Sequence, residues 1–229
     1  MDPGNDRLPH YFQWEVRSWS RAWPLWRRTL EAVPLGTPQA LALGERDGGL
    51  SLMLADHGFV TVCSDLRGPT EQAHELHRRF GRQHLVSYGH IDALAIPKPD
   101  ACYEVVVFKS MIGALGSKGK QALALREMHR VLKPGGVLLF AENLQGTPLH
   151  RWLRKRFVPW GHYWRYLDPV NDRDLFAPFA RVDLHTTGLL ANLGRSEGQR
   201  DLLARLDAVL APVLPQRWRT ILYGVAVKA

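Results

Sequence analysis

Two acids in this chain each follow a short apolar run and share a setting. Asp65 ends VTVCSD (60–65), and Asp92 ends SYGHID (87–92). Both come after a glycine-bearing turn in LALGERDGGLSLMLA (41–55). A carboxylate at a strand end can accept both hydroxyls of a ribose in one bidentate grip. A tight turn from strand to helix needs glycine for unusual φ and for close approach of a ligand, which points to Gly44 and Gly48. The helix after such a turn offers unpaired N–H groups to an anion. The chemistry indicated is the holding of an adenosine-type cofactor along the carboxyl ends of a set of strands.

A second group of residues could act on whatever is placed beside that cofactor. Lys109 and Ser110 follow the apolar run EVVVF, and Glu142 and Asn143 follow GGVLLFA. Glu142 is a candidate base if burial raises its pKa. Lys109 would repel an ammonium substrate and suit an anionic oxygen; the simpler alternative is that it reaches solvent or pairs with Glu142. The segment LHRWLRKRFVPWGHYWRYLD (149–168) comes next and is expected to cover the pocket. In it His150 or His162 could serve as a base near neutral pH. Trp164 could stack on a ring or sugar face, and Arg151 and Arg165 could grip an anion.

These residues need a scaffold. Apolar periodicity and turn residues predict strands at 40–43, 59–64, 85–88, 105–108 and 137–141. Helices are expected at 50–57, 70–80 and 121–132. The alternation implies a parallel sheet with helices on both faces. Residues 10–32, with Trp14, Trp19, Trp23 and Trp26, read as one helix or two short ones interrupted at Pro24. Beyond 143 we expect a helix over 171–179 capped by Asn171 or Asp172, and a strand over 181–187. An amphipathic helix over 196–213 follows, with Leu202, Leu203, Leu206, Val209, Leu210 and Val213 on one face, and a last strand over 221–227. The expected organisation is a single domain over 1–229: an N-terminal helical cap (1–36), a cofactor-binding core (40–143), a substrate lid (144–170) and C-terminal helices and strands (171–229).

The ordered series resembles the class I S-adenosylmethionine-dependent methyltransferases, of the methyltransferase type 11 kind. The glycine turn is similar to motif I, hh(D/E)hGxGxG, with Gly44 and Gly48 as outer glycines. Ala42 stands where that family has an acid and Arg46 where it has the middle glycine, as in a subgroup with GxRxGGLS and FKS. GHIDALAIP resembles the D-A-x-x-L/I-P segment, YEVVV resembles FDVVV, and REMHRVLKPGGVLLFAE resembles REhxRVLKPGGhLhh, the most specific match. The resemblance implies a doubly wound, mostly parallel seven-stranded sheet. It implies S-adenosylmethionine as cofactor, S-adenosylhomocysteine as product, no metal, and cofactor contacts from Gly44, Glu45, Arg46, Gly48, Asp65, Leu66, Asp92, Ala93, Phe108 and Lys109. With it, the candidate catalytic residues are Glu142, Lys109 and His150, and the candidate acceptor contacts Asn143, Arg151, Trp164 and Arg165.

Bulk properties narrow the acceptor. The chain has 30 Lys and Arg against 22 Asp and Glu, a net charge of +8. Five bases and no acid fall between Thr147 and Leu167. That favours an anionic or sugar-like small molecule, or a lipid- or sugar-linked precursor, with peripheral membrane contact through 151–165. O-methylation is expected over N-methylation. Two cysteines are too few for a disulfide framework, and the polar N-terminus is unlike a secretory signal, so a cytoplasmic setting is expected. Nucleic acid is disfavoured because no Asn/Asp-Pro-Pro-Tyr follows the fourth strand, and a nicotinamide dehydrogenase because the glycine pattern differs. The alternative is a cofactor-degenerate domain that serves as a binding or scaffold module. The residues leave the oligomeric state open.

Overall fold

The computed structural model describes residues 6–34, 36–190, 193–194, 196–210 and 214–229. A seven-stranded sheet organises them, in the order β3-β2-β1-β4-β5-β7-β6. The strands are β1 (Gln39–Leu43), β2 (Val60–Asp65), β3 (Val86–His90), β4 (Tyr103–Lys109), β5 (Leu132–Asn143), β6 (Arg181–Thr187) and β7 (Ile221–Val227). Pairings from β3 to β5 are parallel; β7 inserts antiparallel between β5 and β6. Chain order reverses between β1 and β4, the switch point where open α/β sheets leave a crevice at the carboxyl ends of their strands.

Central strands are apolar on both faces because both are covered. Val105, Val106, Val107 and Phe108 of β4 are all fully buried. Alternate positions feed two cores. On one face Leu41, Val106 and Phe108 pack with α6 (Lys118–Val131). On the other Ala40, Ala42, Val105 and Val107 pack with α4 (Gly49–Asp56) and with the N-terminal helices. A fifth helix, α5 (Glu71–Arg79), joins β2 to β3.

The N-terminal segment forms three short helices rather than one or two: α1 (Leu8–Phe12), α2 (Val16–Trp19) and α3 (Trp23–Glu31). Pro24 sits in the first turn of α3, where its missing N–H costs nothing, so it starts that helix and breaks nothing. Trp19, Trp23 and Trp26 are buried, whereas Trp14 is exposed on the linker between α1 and α2. Gln13 and Glu15 in that linker hold φ of 63° and 47°.

After β5, Thr147 caps α7 (Pro148–Phe157) in a capping box with His150. The helix expected over 171–179 reduces to a 3-10 turn, Arg173–Phe176. Asp172 does not cap it; its carboxylate takes Arg165 and the Asp168 amide instead. The final helix is α8 (Glu197–Leu210). Leu203 is half-buried, but Leu202, Leu206 and Leu210 face solvent, contrary to the expected apolar contact face. The Val209 side chain and Val213 lie outside the described residues. Among the described residues no helix is long and apolar enough to cross a membrane.

Candidate functional site

The turn after β1 is built on glycine conformations. Gly44 has φ +64° and is exposed at the crevice; Gly48 has φ +80°. A Cβ on Gly48 would stand 2.9 Å from both Ala73 and His77, so only glycine fits there. Glu45 folds back beneath the turn. Its carboxylate accepts the Leu50 amide and, at 2.8 Å, the Ser51 amide. The first amides of α4 are therefore taken by the chain itself, which corrects the expectation that they await an anion. Burial pushes the Glu45 carboxyl up to about 7, opposed by its Ser51 and Leu50 hydrogen bonds. Arg46 is exposed, and its carbonyl accepts the Thr70 amide at 2.8 Å.

Asp65 and Asp92 stand on one rim. Asp65 pairs in register with His90, and the Ile91 amide donates to the Asp65 carbonyl at 3.1 Å, which places Asp92 one residue further along the neighbouring strand end. Each uses Oδ1 to accept the amide two residues on, Arg67 and Leu94 respectively, both at 2.9 Å. Oδ2 of each has no hydrogen bond among the described residues. Leu66 projects into solvent beside this rim, and Ala93 is buried under it. Phe108 lies wholly inside the core, its ring 6.3 Å from that of Phe140, so its side chain is out of reach of a cofactor.

At the tips of β4 and β5 the geometry again departs from expectation. Lys109 does not pair with Glu142. Its Nζ donates to the Phe12 carbonyl and lies 4.1 Å from the centroid of the Trp14 ring. Burial lowers its pKa to about 7, against the pull of Glu45 and Glu15. Glu142 is fully buried; Oε2 accepts the Met111 amide at 2.9 Å and the Gly113 amide at 3.2 Å, and Oε1 accepts the Asn143 amide at 2.7 Å. Burial pushes its carboxyl up to about 7 even so. Ser110 holds φ of +50°, a strained conformation, and its Oγ accepts Asn143 Nδ2 at 2.7 Å.

Next to these tips lies a cavity of about 1020 Å³. Ser110, Asn143, Arg154 and an ion pair of Glu15 with Arg200 at 3.7 Å supply polar lining, and Trp14, Leu153, Trp160 and Trp164 supply apolar walls. Arg154 is the cation on the α7 side of it, Arg200 lying elsewhere on the wall: Arg154 Nη1 donates to the Leu144 and Gln145 carbonyls at 2.5 and 3.1 Å, and the guanidinium lies 4.1 Å over the Tyr166 ring. Burial lowers its pKa. Sequence reasoning missed Arg154 within a run of bases. The signal was phase: His150, Leu153, Arg154 and Phe157 fall on one side of α7, and all four line the cavity.

The remaining candidates divide. His150 reaches the cavity wall, but Nδ1 meets Thr147 Oγ1 at 2.7 Å and Nε2 meets the Leu189 carbonyl at 2.8 Å, and burial lowers its pKa. Arg165 does not face the cavity. It pairs with Asp172 at 2.7 Å and with the Gln121 side chain, because these neighbours from distant segments satisfy it. Arg151 is exposed, 3.4 Å from Gln145 Oε1. Trp164 packs its Nε1, buried and without a partner among the described residues, against Gly113, where a Cβ would come within 1.9 Å. His162 is exposed. Among the described residues no group of three or more His, Cys, Asp or Glu could hold a metal.

Known proteins share this architecture. Residues 41–140 match the family model described as a methyltransferase domain. A ubiquinone/menaquinone biosynthesis C-methyltransferase of Shewanella frigidimarina is 31% identical over 136 residues, covering 57% of this chain and 52% of that protein. A demethylmenaquinone methyltransferase of Staphylococcus haemolyticus is 32% identical over 130 residues, 56% of this chain and 48% of that one. This chain thus spans about half the length of these curated relatives. Among solved structures, Haemonchus contortus phosphoethanolamine N-methyltransferase 2 in complex with S-adenosyl-L-methionine superposes with TM-score 0.65 at 15% identity, covering 100% of this chain and 57% of that one. The YcgJ protein of Bacillus subtilis superposes with TM-score 0.63 at 15% identity, covering 91% and 98%.

Proposed function

We propose, for a chain whose residues 41–140 belong to the class I S-adenosylmethionine-dependent methyltransferases, in-line transfer of a methyl group to a small acceptor bearing an anionic oxygen. One observation carries the reading. Two carboxylates on adjacent strand ends, each with an oxygen to spare, and an exposed glycine turn share an edge of the sheet with a cavity that holds the half-buried Arg154. Asp65 and Leu66 suit a ribose and the nucleoside beside it, and Asp92 with the Ala93 amide suits an adenine edge. The Leu50 and Ser51 amides of α4 do not suit an anion, since Glu45 holds them, so recognition rests chiefly on the nucleoside half.

S-adenosylmethionine, when bound, supplies a methyl group already activated as a sulfonium, and S-adenosylhomocysteine is released. The chain must hold a nucleophile ~3–3.5 Å from that carbon and exclude water. Trp14, Trp160 and Trp164 give the cavity apolar walls from which a bound acceptor would displace water. Arg154 takes the part that sequence reasoning gave Lys109: it favours an acceptor oxygen that arrives deprotonated, and it disfavours an ammonium. Such an acceptor needs no strong base. Glu142 then positions the loop after β4, His150 positions α7, and Lys109 anchors the linker at Phe12 and Trp14. Ser110 and Asn143, beside each other at the strand tips, are polar groups placed to orient the acceptor. This keeps O-methylation ahead of N-methylation.

C-methylation is the second reading. The Shewanella frigidimarina relative is a C-methyltransferase, and a phenolate or enolate is nucleophilic at both carbon and oxygen, so its pose against the methyl group decides which reacts. Incubating the protein with methyl-13C S-adenosylmethionine and a panel of phenols, enols, sugar acids and amines tests both. A methoxy carbon signal supports the first reading and a C-methyl signal the second. Exclusive labelling of amines refutes the oxyanion acceptor. An absence of S-adenosylmethionine binding at millimolar concentration leaves only the scaffold alternative.

A further inference from the structure

The outer side of α7 and the turn after it carry an unusual surface. Trp152 is 59% and Phe157 63% exposed, and Leu149, Trp160 and Tyr163 are exposed with them. The Trp152 and Phe157 rings touch edge to face at 6.1 Å, so these two exposed rings form one apolar surface. Leu149, Trp152 and Arg156 recur at helical spacing on the outward side, flanked by exposed Arg151 and Lys155. From Asn143 to Leu167 there is no Asp or Glu, so no acid on this segment neutralises those bases. Phe157 and Trp160 also form part of the cavity wall, so the patch borders the cavity.

We propose that this face docks on an anionic lipid surface, with the helix axis in the plane of the headgroups and the cavity mouth turned toward the acyl layer. Amphipathic helices with aromatic and basic residues partition in this way, and tryptophan and tyrosine favour the water–lipid boundary. Charge selects the surface: three exposed bases without acids are drawn to acidic headgroups and gain little from neutral ones. A second copy of the chain offers no matching acidic face on this segment. The acceptor is then an amphiphile that enters from the bilayer, which rests on reading the cavity as the acceptor site.

The test uses the full chain and two kinds of vesicle, phosphatidylglycerol mixed with phosphatidylcholine and phosphatidylcholine alone. The expected result is co-sedimentation with the acidic vesicles, reversed by high salt, with a blue shift in tryptophan emission. Combining R151E, K155E and R156E is expected to cut partitioning at least tenfold, and so is combining L149A with W152A. Titration with S-adenosylmethionine keeps the two readings apart. Variants that bind cofactor normally but not vesicles support docking, whereas vesicle binding without cofactor binding sinks only the functional reading. Docking is overturned by equal binding to neutral vesicles, by no binding at all, or by binding to a single-stranded oligonucleotide in place of vesicles. It is also overturned if L202E with L206E on α8 abolishes partitioning while the α7 variants keep it.

Discussion

At the scale of single residues, charge and hydrogen bonding decide which candidates remain available to ligands. Asp65 keeps an oxygen for a ribose, so Asp65→Ala is expected to weaken S-adenosylmethionine binding at least tenfold, about 1.4 kcal/mol, by calorimetric titration. An unchanged Kd contradicts the ribose contact. Glu142 makes a prediction about pH. Its carboxyl rises to about 7 on folding, so the folded state holds this proton more tightly than the unfolded chain. The stability it contributes is complete below its ordinary value near 4.5 and is lost as pH climbs to about 7. Denaturant unfolding at pH 5 and pH 7 should show that decline, and Glu142→Gln, which does not titrate, should flatten it while lowering stability at both. A decline of the same steepness in the variant assigns the effect elsewhere.

At the scale of elements, the turn after β4 and the segment that covers the cavity are one packing unit. The Gly113 carbonyl accepts the Arg165 amide at 2.9 Å, and Trp164 presses where a Cβ would sit. Gly113→Ala should therefore lift residues 160–167. Faster tryptic cleavage among the bases of α7 is expected, with acceptor turnover down at least tenfold, about 1.4 kcal/mol in barrier, while cofactor binding persists. Cleavage at the wild-type rate would show that the lid does not lean on this glycine. The same unit explains how much of the site could be read in advance. That Asp65 and Asp92 share a rim could be read in advance because Asp65 ends β2, Asp92 follows the end of β3, and parallel neighbours bring strand ends together. Arg165 and Lys109 were not, because Asp172, Gln121 and Phe12 reach them from other segments, and spacing along the chain carries no record of that. The expected 171–179 helix failed for a like reason: Asp172 is spent on Arg165 and Lys118, leaving the turn uncapped. The leucines of α8 show the limit of periodicity, which finds an apolar stripe without saying what, if anything, covers it.

At the scale of the whole molecule, the sheet and both of its faces were legible from the alternation of strands and helices, and the insertion of β7 between β5 and β6 completes them. The N-terminal helices are part of the core rather than an appendage. Trp26 is fully buried, and its Nε1 donates to the Gly224 carbonyl of β7 at 3.1 Å. Trp26→Ala is expected to cost about 3–5 kcal/mol by denaturant unfolding, the range for removing a buried large aromatic. A loss under ~1 kcal/mol would mean that the cap folds apart from the sheet.

That one indole–carbonyl bond spans nearly the length of the polypeptide, and the strand it reaches is synthesised after the other six strands of the sheet. Until β7 emerges, the nascent β5 has a bare hydrogen-bonding edge, β6 has nothing to pair with, and the early tryptophans lack their seat. Folding of this protein is thus expected to finish only after synthesis of β7, and cells that make it fast should rely on chaperones to guard that unfinished edge.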